Sequence, residues 1–122
     1  MTDLERALER CDSLSPEVRK IGIEMLEALY LKGCAGAAVE LAHIVVSEDY
    51  ICELTKLDAV RLLIRDLRLS GSSLSFQHLY HHARGYVSDE LMYELLTLAA
   101  PNCMDATEIL EANLPGWRHP LL

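Results

Sequence analysis

The chain has 122 residues, enough for one domain that buries a core without disulfide or metal staples. Hydrophobic residues make up 51% and aromatics 6%, which argues against disorder and favours Leu/Ala-rich packed helices over a β-sandwich. The formal net charge of −8 has the wrong sign for a generic phosphate-backbone binder; a protein partner, bound in a salt-sensitive way, is expected instead of nucleic acid.

The first stretch, MTDLERALERCD, is acidic and amphipathic, unlike a secretory leader. Thr2 and Glu5 have capping-box spacing, and Leu4, Ala7, Leu8 and Cys11 recur at helical intervals, so a helix over 2–12 is predicted. Ser15-Pro16 then reads as an N-cap and first helical position of a helix that stops at Gly33. A compact helix is expected from Ala37 to about Val46, with a polar break at 47–50. Thr55 and Asp58 have the spacing of a second capping box, launching a helix through Leu69 that ends at Ser70-Gly71. Further helices are predicted from Ser73 to Arg84, from Ser88 to Pro101-Asn102, and from Met104 to Asn113. The tail LPGWRHPLL is expected to fold back onto the last helices or to serve as a docking peptide. The predicted fold class is all-α, about seven helices in stacked helix-turn-helix hairpins. It reads as one domain over 1–122, with a repeat-like region at 16–113 and a tail at 114–122.

Segments starting at Leu31, Leu69 and Ala100 align at their turns. Gly33, Gly71 and Asn102 fall in the turn position, where a left-handed backbone suits Gly and is tolerated by Asn. Small residues Ala37, Ser75 and Ala106 come into register, followed by Leu41, Leu79 and Leu110. A helical hairpin cannot bury its apolar face alone, so repeated hairpins imply a shared core with one face left for partners.

The segment LYHHARGYVSDELMYELLTLAA carries Leu79, Tyr80, Gly85, Val87, Asp89 and Ala99-Ala100 in an order that resembles the Sel-one-like repeats, relatives of the tetratricopeptide repeats. A fainter copy includes Leu41-Ala42, Asp58-Ala59 and Gly71, and IEMLEALYLKG looks like a lone second helix. Ala83 stands where that family usually has a turn glycine, and the loop over 47–54 is longer and lacks Gly. The resemblance implies a protein-interaction scaffold without chemistry of its own.

Three of the five histidines, His78, His81 and His82, form H-x-x-H-H, with two of them one helical turn apart. No H-E-x-x-H or C-x-x-C completes a metal site, so they are expected on the polar side of a helix that buries Phe76, Leu79, Tyr80 and Ala83. Arg61, Arg65 and Arg68 recur at i, i+4 and i+7, a basic stripe that either pairs with Asp58 and Asp66 or contacts an acidic partner. Cys34 and Cys103 fall near helix N-termini, where a thiolate is favoured, yet small half-buried residues at a crowded turn are the preferred reading. Together with Cys11 and Cys52 they are widely spaced and resemble neither a zinc ribbon nor a disulfide framework.

These readings converge on a non-catalytic protein-binding module of a reducing cytoplasm, with no cofactor, no metal, no direct nucleic-acid ligand and no membrane contact. The candidate partner face comprises Glu40, His43, Gln77, His78 and His81, with Arg61, Arg65 and Arg68 as a second contact. His43 and His81 are equivalent in the repeat register and are expected to point the same way. A homodimer is compatible with an unpaired terminal helix face. The alternative is a small acidic inhibitor or immunity-type protein that blocks an enzyme or nucleic-acid-binding machine by charge mimicry. A metal- or thiol-dependent enzyme is a third possibility.

Overall fold

Thr2 opens the first helix with both halves of a capping box. In the computed structural model, which describes residues 1–113, its hydroxyl accepts from the Glu5 N–H at 3.1 Å. The Glu5 carboxylate in turn accepts from the Thr2 N–H at 3.2 Å. Helix α1 follows over Asp3–Cys11. Ser15 caps α2, Pro16–Leu31, whose first residue is a proline where no N–H is needed. The rest of the described chain forms α3 (Ala35–Glu48), α4 (Lys56–Ser70), α5 (Ser73–His82), α6 (Asp89–Ala99) and α7 (Met104–Asn113). Short 3-10 turns at Arg84–Tyr86 and Ala100–Asn102 flank α6. Among the described residues there is no strand, and the protein is all-α.

Two of the boundaries that differ from the sequence expectation have a clear local reason. Helix α3 runs through Ser47, whose hydroxyl donates back to the His43 carbonyl at 2.6 Å instead of interrupting the turn. It stops at Asp49, which takes a left-handed conformation at φ 53. Helix α5 ends two residues early, because Ala83 leaves the helical region at φ −136 and the chain tightens into the turn at Arg84.

The chain divides into two compact units, Met1–Ala59 and the part from Val60 onward. In the first unit α1 packs on α2, and α2 on α3. The α1–α2 approach is set by Gly22: a Cβ there would stand 2.6 Å from the Cys11 nitrogen and 2.9 Å from the Ala7 oxygen. In this unit Ala7, Leu26, Ala37 and Leu41 are fully buried. In the second unit α5 packs on α6, and α6 on α7, closing over Phe76, Leu79, Leu95, Leu96 and Ala106.

The repeat register survives in the core and fails at one turn. Ala37, Ser75 and Ala106 are all fully buried, as are Leu41 and Leu79, whereas Leu110 is half-buried. Gly33 and Gly71 are left-handed at φ 90 and φ 68, conformations with little cost for a residue lacking Cβ. Asn102 does not join them; it lies in a 3-10 turn behind Pro101, whose ring fixes φ near the helical value. Its side-chain amide instead donates to the Gly71 carbonyl at 3.3 Å, tying that turn to the start of α7.

Candidate functional site

Helix α4 separates its side chains by period. Val60, Leu63 and Leu67 are buried, and Arg61, Arg65 and Arg68 line up on the exposed side. The three arginines border a concavity of about 420 Å³ in the second unit, completed by Ile64, Leu69 and Leu91. Ile64 and Leu91 are half-buried and Leu69 is 77% exposed, so the floor is apolar and open. Arg68 Nε donates to Glu94 Oε2 on α6 at 2.9 Å.

Of the two acids expected to pair with this stripe, Asp66 is also engaged across helices. Asp66 accepts from the Ser75 hydroxyl at 2.7 Å, an inter-helical bond to a serine with no exposed surface. Helical spacing showed the stripe itself. It could not reveal Glu94 or Leu91, which come from a helix more than twenty residues away; the only signal was that both lie on one side of α6.

The histidine cluster lies where amphipathicity places it. Phe76, Leu79 and Ala83 are buried, Tyr80 of the same arc is only half-buried, His81 and His82 are exposed, and His78 is half-buried on the flank. The His78 and His82 rings meet edge-on with centroids 6.2 Å apart, and those of His81 and His82 lie 6.5 Å apart. Among the described residues no group of three or more His, Cys, Asp or Glu converges as metal ligands would. The neighbouring Tyr80 is more distinctive. The Arg84 guanidinium carbon sits 4.0 Å from its ring centroid, and its edge meets His81 at 5.3 Å. Gln77 is half-buried, with its amide 3.4 Å from the Ser73 hydroxyl.

The proposed partner face of α3 is altered by burial. Glu40 is half-buried, but His43 is only 8% exposed, so it does not present a surface as His81 does. It belongs to a largely buried run of α3 that also contains Leu41, Ala42, Val45 and Val46. Repeat equivalence thus holds for the inward positions and does not extend to the polar flank.

A second concavity, of about 410 Å³, lies in the first unit and was not foreseen from the sequence. It is formed by the connection after α3 and involves Val45, Tyr50, Cys52, Leu54 and Lys56. The Tyr50 hydroxyl donates to Glu27 at 3.0 Å, while Ile51 beside it is 93% exposed. Burial, then the hydrogen bond to the Glu27 carboxylate, pushes the Tyr50 pKa up to about 12.

Burial disfavours the thiolate at two of the four cysteines. Burial raises the pKa of Cys11 against the opposing pull of Arg19, and burial likewise raises that of Cys52. Cys34 occupies the N-cap of α3 without a side-chain capping bond, and Cys103 is buried ahead of α7. All four cysteines are unbridged. No helix of the described residues is long and apolar enough to cross a membrane. The expected packing or docking role of the tail falls outside the described residues.

No protein-family model matches the chain, and neither a curated protein nor a solved structure gives a significant match.

Proposed function

We propose that this chain is a non-catalytic protein-interaction module of the Sel-one-like helical-repeat type, working in a reducing cytoplasm. The observation that carries the reading is the α4 groove. An acidic protein with only 11 basic residues places three arginines on one exposed helical stripe, beside open apolar side chains. Such a combination of bulky apolar contacts and forked cations suits protein recognition. The raised thiol pKa values at Cys11 and Cys52 support a role without covalent chemistry.

The distribution of acid also favours a module over a charge-mimicking inhibitor. Glu27 accepts from Tyr50, Glu48 pairs with Arg19, Asp49 with Lys56 and Glu94 with Arg68. The three ion-paired carboxylates lie on α3, the following loop and α6, each beside a cation, whereas mimicry of a polyanion needs a concentrated bare patch.

Affinity capture with the immobilised full chain at low and high salt tests the proposal. A specific protein should be retained at low salt and substantially released at high salt, while elemental analysis finds no stoichiometric metal. Failure to retain any protein, or one hyper-reactive cysteine together with bound metal, would overturn it.

A further inference from the structure

We infer that the α4 groove of the second unit receives an acidic segment of a partner protein that also carries bulky apolar side chains; this rests on the module reading above and names its partner class. Arg61, Arg65 and Arg68 are all exposed and border one side of the groove, whose floor is Ile64, Leu69 and Leu91. A guanidinium carries five N–H donors in a planar fork, and the bond from Arg68 to Glu94 uses one of those on Arg68. That pair is itself half-exposed, at 50% and 48% for the two side chains, so a carboxylate is already accommodated at the rim in contact with water.

The charge of the whole molecule does not forbid this occupant. Screening at physiological ionic strength limits bare electrostatics to about 8 Å, so the arginine stripe governs the groove while the net charge of −8 acts mainly on extended polyanions. A nucleic-acid strand would carry its charge well beyond the stripe and would leave the apolar floor unmatched. A short acidic segment ends within the stripe, and its apolar side chains cover Leu69 and Leu91. Part of its affinity then survives in high salt.

The test is fluorescence anisotropy with the full chain and three labelled probes. The first is a short helical peptide rich in Glu with leucines one turn apart; the second has those leucines replaced by serine; the third is a single-stranded oligonucleotide. The first probe should bind, the second about tenfold more weakly, and the third more weakly still. Arg65→Glu should weaken the first probe by about tenfold or more. Leu69→Ser should weaken it several-fold, and this residue is so exposed that the fold does not depend on it. Arg65→Gln, checked by circular dichroism, separates loss of binding from loss of folding.

The inference is overturned if the first probe does not bind, if the serine peptide or the oligonucleotide binds equally well, or if folded Arg65→Glu binds like the wild type. If the wild type nevertheless retains a protein in the capture experiment, the module reading stands and only the groove assignment falls.

Discussion

Ser75 is a polar residue with no exposed surface, and its hydroxyl reaches Asp66 at 2.7 Å on the preceding helix. A hydrogen bond to a carboxylate in that setting contributes about 1.5–3 kcal/mol. Ser75→Ala should therefore lower the unfolding free energy by an amount in that range, read as a lower urea midpoint with an unchanged denaturant slope. Gly22 is constrained by space: the Cβ of Gly22→Ala would meet backbone atoms of α1 at 2.6 and 2.9 Å. The helices must then separate, at a cost of about 1–3 kcal/mol measured in the same unfolding experiment. Tyr50 supplies a pH signature. Its folded-state pKa of about 12 lies above the ordinary 10, so folding favours the protonated phenol. That contribution is complete below pH 10 and is lost as pH rises through about 12. Tyr50→Phe should flatten the fall in stability across this window, as seen in unfolding curves taken at successive alkaline pH values.

The two turn glycines of the second unit make opposite predictions at the scale of elements. Gly71 is left-handed, and a Cβ there would come 2.7 Å from the Asn102 amide nitrogen, disturbing its bond to the Gly71 carbonyl. Gly71→Ala should destabilise by about 1–2 kcal/mol, whereas Gly85→Ala, where an added Cβ meets nothing within 4 Å, should be neutral or slightly stabilising. Differential scanning calorimetry of the pair decides this. Such turns show why the elements were legible. Thr2, Ser15 and Ser88 each accept a backbone N–H at a helix start, and local capping chemistry announces itself within a few residues. The inward register of Ala37 with Ser75 and of Leu41 with Leu79 was equally readable, because packing repeats with the helix. The outward flank was not. His43 is buried together with Leu41, Ala42, Val45 and Val46, and burial of a flanking position is a tertiary property that the equivalence with His81 does not encode. The groove floor was hidden for the same reason: the Arg stripe is written in one helix, while Leu91 and Glu94 come from another.

The whole molecule carries a net charge of −8, yet its arginine stripe shares a face with open apolar side chains. This arrangement makes association depend on two separable forces, a screened Coulombic attraction and apolar burial that salt does not weaken. Raising salt should slow association more than it speeds dissociation, because charges outside the apolar contact mainly steer encounter. Hydrogen exchange of the full chain, free and bound to a partner recovered by capture, tests the central claim most directly. The account predicts slowed exchange in α4 around Arg61 to Leu69 and in α6 around Leu91, with α1 unchanged. Protection confined to α1, or exchange unaltered throughout the chain, would contradict it.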